Sequence, residues 1–221
     1  GAEVGMLTTR GFRDILLLAR GKRPHNFSMQ FDVPWQSKPL GKRRNRIVIS
    51  ERILPPDGRI EVALDEDEVR AAAELLKKRG VDAVIICFIY SFLNNTHEQR
   101  AKEIVQEILP ETYVSCSSEI ADVIREYERF STAAMNAFIG PRTSFYLRNL
   151  QSALRNEGVK AEIRLMQSNG GVTTIEGGSE RPVTILMSGP AGGVIGGKWA
   201  GDLSGVENLI TVDIGGTSAD I

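Results

Sequence analysis

Between residues 65 and 116 the hydrophobic period switches back and forth, and few architectures accept such a pattern. Asp65 with Glu68 is a capping-box signal, and the helix it opens carries Ala71, Ala72, Ala73, Leu75 and Leu76 before Gly80 ends it. An unbroken apolar run at 83–90 reads as a buried strand. Thr96 with Gln99 repeats the capping pattern, opening a helix that Pro110 closes, and 113–116 is strand again. Strands joined through helices favour parallel neighbours, because a parallel pair needs a crossover and here the crossover is helical. The fold class is therefore α/β.

The flanking sequence fits around that centre. A strand from Val4 leads past Thr8, Thr9 and Gly11 into a short helix over 12–20, ended by Gly21 and Pro24. Residues 25–46 are irregular and end in the basic run Lys42, Arg43, Arg44 and Arg46, which reads as a solvated loop ahead of a polyanion contact. Segments 47–54 and 60–64 around Pro55-Pro56-Asp57-Gly58 read as a β-hairpin. Residues 118–157 are almost wholly helical with a break expected at Gly140-Pro141, and 163–167 and 172–174 form a second hairpin around Asn169-Gly170-Gly171.

Several function classes fall away. Lys plus Arg number 27 against 28 Asp plus Glu, a net charge of -1, so affinity from blanketing nucleic-acid phosphates is not expected. No apolar run reaches the roughly 18 residues of a membrane-spanning helix. Cys87 and Cys116 form neither a metal spacing nor a disulfide framework, which favours a reducing, cytoplasmic setting. His25 and His97 have no ligand set around them, and His97, in the first turn of a helix, reads as surface polarity. Glu126 and Glu128 point to different sides of a helix, so a buried or interdomain ion pair is preferred to a shared acid/base site.

The chemistry concentrates in residues 187–221. Ser188-Gly189-Pro190 starts a helix that carries Gly192, Gly193, Gly196 and Gly197. Each glycine costs about 1 kcal/mol against alanine in a helix interior. Close approach of another element, or of a ligand in a phosphate loop, must offset that. Residues 209–214 read as a buried strand ending on Asp213 and turning through Gly215, Gly216, Thr217 and Ser218. Glycine amides can face phosphate, Thr217 adds a hydroxyl, and Asp213 suits a phosphate only with Mg²⁺ between them. The alternative is a plain tight hairpin with a solvated acid.

A small-residue helix followed by an apolar strand into Asp213-Ile214-Gly215-Gly216-Thr217 resembles the actin, heat-shock chaperone and sugar-kinase ATPase superfamily. More closely, the chain resembles the ATP-dependent hydantoinase A and 5-oxoprolinase family. The matching segments are Leu7-Thr8-Thr9-Arg10-Gly11-Phe12-Arg13-Asp14, Arg125-Glu126-Tyr127-Glu128-Arg129, Gln167-Ser168-Asn169-Gly170-Gly171, Ser188-Gly189-Pro190-Ala191-Gly192-Gly193 and residues 213–220, in family order over nearly the whole length.

The resemblance implies an actin-like, ribonuclease H-like ATPase lobe with a mixed sheet flanked by helices, incomplete at both ends and belonging to a longer protein whose first phosphate loop lies upstream. It divides the chain into a truncated N-terminal region over 1–137 and the start of a hydantoinase A core over 138–221, with a hinge helix at 188–204 and the second phosphate loop at 208–221. Gly215, Gly216 and Thr217 would hold phosphate, Asp213 would organise Mg²⁺ through water, Asp220 would assist, and Gly192 and Gly193 would line the hinge. The implied parent is an ATP-hydrolysing enzyme that opens a cyclic amide or imide, working with a companion hydantoinase B-type subunit or domain or as a homo-oligomer, with the isolated fragment inactive. Two alternatives stand beside it: the ATP-binding subunit of an acetone or acetophenone carboxylase, and a non-catalytic actin-like switch. No residue presents itself as the base for ring opening.

Overall fold

The computed structural model describes residues 1–21, 39–216 and 219–220. Thr217, Ser218, His25 and most of the irregular segment expected after Gly21 lie outside the described residues. The chain separates into two compact units, Gly1–Arg142 and Thr143–Ile221, each described by itself.

The first unit contains, in chain order, β1 (Val4–Thr9), α1 (Ile15–Leu18), β2 (Arg46–Ile49), β3 (Arg52–Leu54), β4 (Arg59–Val62), α2 (Glu66–Lys78), β5 (Ala83–Cys87), α3 (Thr96–Ile108), β6 (Tyr113–Cys116), α4 (Ser117–Ile120) and the first half of α5 (Glu126–Asn156). Four strands form one sheet in the order β2-β1-β5-β6, and every pairing in it is parallel. The mixed sheet expected from the resemblance is thus a parallel sheet, and the antiparallel pairs stand apart as two-stranded ribbons.

Both faces of the sheet are covered, so β1 and β5 are buried along their whole length. β5 alternates: Val84 and Ile86 join α2 and α3 residues Val69, Leu76, Ile104 and Val105 in one core, whereas Ala83, Ile85 and Cys87 join Phe130, Ala133 and Ala137 of α5 in the other. Gly5 lets α2 approach β1, since a Cβ there would lie 2.8 Å from a Leu76 methyl.

Several local expectations are displaced by tertiary contacts. The segment 47–54 is two strands. β2 joins the parallel sheet and β3 pairs antiparallel with β4, because the chain turns at Ser50 and Glu51: the Ser50 amide donates to Glu68 (2.7 Å) and its carbonyl accepts from Asp65 N (3.0 Å). Asp65 does cap α2 through the Glu68 amide (2.9 Å), but the Glu68 carboxylate serves Ser50 and Arg10 instead of closing a capping box. Gln99 likewise bonds Glu119 (3.1 Å), and Asn94 takes the Thr96 amide (3.1 Å). The helix expected over 12–20 shrinks to α1, because Asp14, its potential cap, is held by two 2.9 Å bonds from Arg43.

The expected break at Gly140-Pro141 is absent: α5 runs 31 residues through Pro141. The ring of Tyr113 packs where a Gly140 Cβ would stand, 2.7 Å away, so glycine serves a close contact there rather than a helix end. Three of the four cations in the basic run have partners within the unit. Lys42 pairs with Glu3 (2.7 Å), Arg43 with Asp14, and Arg46 is buried with its Nε on the Gly41 carbonyl (3.0 Å). Glu128 forms a half-exposed pair with Arg20 (2.6 Å), and the buried member of that sequence segment is Arg129. Both cysteines are free and buried.

The second unit holds the rest of α5, the antiparallel hairpin β7 (Arg164–Met166) and β8 (Val172–Thr174), α6 (Ile175–Glu180), a 3-10 turn at Pro182–Ile185, α7 (Ser188–Ser204) and the two-residue strands β9 (Asp213–Ile214) and β10 (Ala219–Asp220). Gly170, at φ 84°, closes the hairpin turn, with Gln167 N on the Gly171 carbonyl (2.8 Å). Thr174 caps α6 through Gly177 N (3.1 Å), and Gly205 ends α7 in the left-handed conformation. The buried strand expected at 209–214 is exposed: Ile210 is 81% and Ile214 77% accessible, because strand structure is confined to Asp213–Ile214, whose sole strand partner among the described residues is the two-residue β10. No helix among the described residues is long and apolar enough to cross a membrane.

Candidate functional site

In the second unit, the glycines of α7 sort into two kinds. A Cβ on Gly197 would collide with Thr211 Cγ2, and one on Gly201 with Leu209 Cδ2, so these positions are small because the returning segment lies against the helix. One turn earlier the same face meets Asp213: a Cβ on Gly193 would stand 3.9 Å from its Oδ2, and one on Gly192 would stand 3.9 Å from Met166 Cγ. Those are ordinary contacts, and at Gly189, Gly196 and Gly216 an added Cβ would meet nothing within 4 Å. Packing therefore accounts for Gly197 and Gly201, and leaves open space beside Gly189, Gly196 and Gly216.

Asp213 and Asp220 face each other as partners in the β9–β10 ribbon, and both are exposed. Like charges directly opposite across strands repel. Neither carboxylate has a basic partner among the described residues. Gly215 and Gly216 follow in the turn between the two acids, and Thr217 lies outside the described residues. Such an arrangement can take a cation between its carboxylates, with glycine amides beside it for an anion.

A second polar concentration, in the first unit, was not anticipated. It lies at the carboxyl ends of the parallel strands, where open α/β sheets place their ligands. Thr9, last residue of β1, accepts the Ile89 amide (2.9 Å) and donates to Glu51. The other Glu51 oxygen meets His97 Nδ1 at 2.9 Å, so His97 is a buried, partnered residue and not the surface group expected from its helix position. The adjacent Glu98 is fully buried and accepts from Phe88 N (2.9 Å), Ser117 Oγ (2.7 Å), Ser118 N (2.9 Å) and Ser118 Oγ (2.6 Å). Burial raises its pKa above the usual carboxylate value despite those donors. Arg129, also fully buried, donates to the Phe88 carbonyl (2.8 Å), Ser117 Oγ (3.1 Å) and the Val123 carbonyl (3.2 Å), with Phe92 and Phe130 rings against its guanidinium. Burial also raises both cysteine thiols, so neither is a ready nucleophile. The available signal was position: His97 and Glu98 stand in the first turn of the helix that follows the central strand β5, and Glu51 stands just past β2.

Two family models meet this chain in order. The hydantoinase/oxoprolinase N-terminal region matches residues 1–109, and the hydantoinase/oxoprolinase model matches residues 129–221. The chain belongs to the hydantoinase/oxoprolinase family. Caprolactamase subunit alpha of Pseudomonas jessenii is 35% identical over 221 residues, covering 100% of this chain and 32% of that protein. The crystal structure of the ATP-dependent caprolactamase from that organism superposes with a TM-score of 0.85 at 34% identity, over 99% of this chain and 31% of that one. A nucleotide-free structure of acetone carboxylase, from work on ATP-dependent acetone carboxylation, gives a TM-score of 0.85 at 26% identity, over 99% of this chain and 32% of that one. The 5-oxoprolinase of Saccharomyces cerevisiae is 28% identical, spanning 100% of this chain and 19% of that protein. The chain thus spans about a third, or less, of the family members it matches.

Proposed function

We propose that this chain is part of an ATP-dependent enzyme that opens a cyclic amide or imide, and that residues 208–221 carry its second phosphate loop. The observation that supports the loop is the unrelieved pairing of Asp213 with Asp220 beside Gly215 and Gly216, in a family whose members include ATP-dependent enzymes. Two facing carboxylates without a basic partner are the donor set a hard divalent cation accepts, so the residues present fit Mg²⁺. Asp213 would hold the ion through water with Asp220 opposite, and the amides of Gly215 and Gly216, with the Thr217 hydroxyl, would bind β- or γ-phosphate. Gly192 and Gly193 would leave the phosphate approach unobstructed, and the helix at 188–204 would serve as a hinge between the two lobes of the complete ATPase, with 1–137 its truncated N-terminal region and 138–221 the beginning of its core domain.

Magnesium ATP supplies a phosphoryl group that turns an unreactive amide carbonyl into a good electrophile. The work left to these residues is placement and charge neutralisation. A small cyclic amide or imide is the substrate class, and a companion subunit is the partner class, in keeping with relatives that are themselves subunits. The sequence likeness to acetone carboxylase and acetophenone carboxylase subunits supports a second reading, in which ATP activates a ketone for carboxylation.

ATP turnover by the complete enzyme, measured with a lactam or hydantoin and with a ketone plus bicarbonate, separates the two. Stimulation by cyclic amides is the expected result, with Asp213→Ala abolishing it and leaving the fold intact. Undiminished turnover in Asp213→Ala would remove Asp213 from the site.

A further inference from the structure

We propose that His97 is an oriented proton acceptor at a small-molecule site on the carboxyl end of the parallel sheet, with Glu51 and Thr9 as its positioning residues. This rests on the cyclic-amide reading above and supplies the base that reading lacks.

The topology gives the place. In the order β2-β1-β5-β6 the chain leaves β1 for β2 on one side and leaves β5 for β6 on the other. The strand order therefore makes the carboxyl ends of β1 and β5 the topological switch point, the position where open parallel sheets bind ligands. Thr9 ends β1, and the Ile89 amide it accepts lies two residues past β5. Tyr90 follows at φ 59°, a left-handed conformation that non-glycine residues seldom adopt and that clusters at functional sites.

The hydrogen bonds give the chemistry. The Glu51 side chain is fully enclosed, and both of its oxygens are occupied, one by Thr9 and one by His97 Nδ1. With Thr9 Oγ1 donating to one oxygen, the carboxylate holds the ring with its proton on Nδ1, and the lone pair then lies on Nε2. Among the described residues Nε2 has no hydrogen-bond partner, and the His97 side chain keeps 8% of its surface accessible. A histidine that merely tied α3 to the β2–β3 corner would need only an N–H donor. The arrangement instead leaves a basic nitrogen without a protein partner among the described residues, backed by a buried carboxylate that stabilises the imidazolium once formed.

In the proposed reaction the acid is the attacking water. Its oxygen bonds to the activated carbonyl carbon, one O–H bond breaks with the proton passing to Nε2, and the C=N π pair moves to the ring nitrogen. The imidazolium returns its proton to that nitrogen. Water has then been added across the C=N bond of the O-phosphorylated ring. The new hydroxyl gives its proton to the ring nitrogen through His97 as the C=O re-forms, and the C–N bond breaks with its pair on the departing amine. A second water hydrolyses the acyl phosphate to carboxylate and inorganic phosphate.

Two measurements test this. In the 221-residue chain, nitrogen-15 correlation spectra of the neutral His97 ring are expected to show the proton on Nδ1, and Glu51→Gln is expected to mix the tautomers. A ring protonated on Nε2 would overturn the proposal. In the complete enzyme, His97→Asn keeps an N–H toward Glu51 but has no basic nitrogen, and His97→Ala leaves room for added imidazole. The expected result is a fall in kcat of about 100-fold or more in both, KM for ATP within about twofold of wild type, and partial rescue of His97→Ala by imidazole. Near wild-type kcat in a folded His97→Asn would make the residue a structural tie and end the proposal. If the wild-type enzyme acts on no cyclic amide, the functional reading fails separately and the tautomer still decides whether Nε2 is the oriented acceptor.

Discussion

Replacing Glu98 by Gln probes the buried polar web with one nearly isosteric change. Glu98 Oε1 accepts from the Phe88 amide and Ser117 Oγ, and Oε2 from the Ser118 amide and Ser118 Oγ. Glutamine offers one acceptor oxygen and one NH₂, so whichever way it turns, one main-chain amide faces another donor. Leaving a buried donor unsatisfied costs about 1–3 kcal/mol, and a hydrogen bond to a charged group contributes about 1.5–3 kcal/mol. Against these stands relief from burying a carboxylate, the same effect that raises the pKa of Glu98. The net expectation at neutral pH is a loss of about 2 kcal/mol. With a urea m-value of about 2 kcal/mol/M, the unfolding midpoint falls by about 1 M. Hydrogen exchange read by mass spectrometry should localise the loss to the amides of Phe88 and Ser118. The sign with pH is fixed: because the folded-state pKa lies above the usual 4.5, wild-type stability from this group rises as pH falls through the folded pKa and levels off below about 4.5. The variant lacks that rise. A midpoint unchanged within about 0.2 M, or amide protection unaltered at both positions, would refute the claim that Glu98 organises the carboxyl end of the sheet.

The glycine helix yields a paired test in thermal unfolding. Gly196→Ala should hold or raise stability by up to about 1 kcal/mol, since its Cβ meets nothing, whereas Gly197→Ala should lower it through collision with Thr211; equal effects would contradict the packing described. Gly140→Ala should cost about 1–3 kcal/mol by overpacking against Tyr113, and a neutral result would mean the ring yields freely. Asp220→Asn should weaken magnesium-dependent ATP turnover in the complete enzyme and stabilise the β9–β10 ribbon by removing the facing charge; unchanged turnover would discard Asp220 as a site residue. By calorimetry the 221-residue chain should bind magnesium ATP weakly or not at all, and micromolar affinity would show that residues 213–217 suffice without the first phosphate loop.

Much of this was legible without coordinates. The alternation from Asp65 to Cys116 dictates helical crossovers, and a parallel sheet follows from the connectivity that a crossover permits. The glycine count of the 188–204 helix signals close approach on its own, because so large a propensity cost needs compensation, and Thr211 and Leu209 supply it at Gly197 and Gly201. The family itself could be read from ordered short segments, since local chemistry such as Asp-Ile-Gly-Gly-Thr is written in consecutive residues.

What tertiary structure alone decided were partners distant along the chain. Sequence periodicity assigns a residue to an element but does not say which side chain from elsewhere competes for it. Asp14 left α1 uncapped because Arg43 holds it, and Glu68 abandoned the capping box for Ser50 and Arg10. Pro141 stayed inside a helix whose packing against Tyr113 outweighs one missing hydrogen bond. His97, an ordinary surface residue by local rules, became half of a buried pair with a carboxylate 46 positions away. Helix and turn preferences are short-range energies and are therefore readable in order. Burial and charge pairing depend on which strands become neighbours, and only the assembled sheet specifies that.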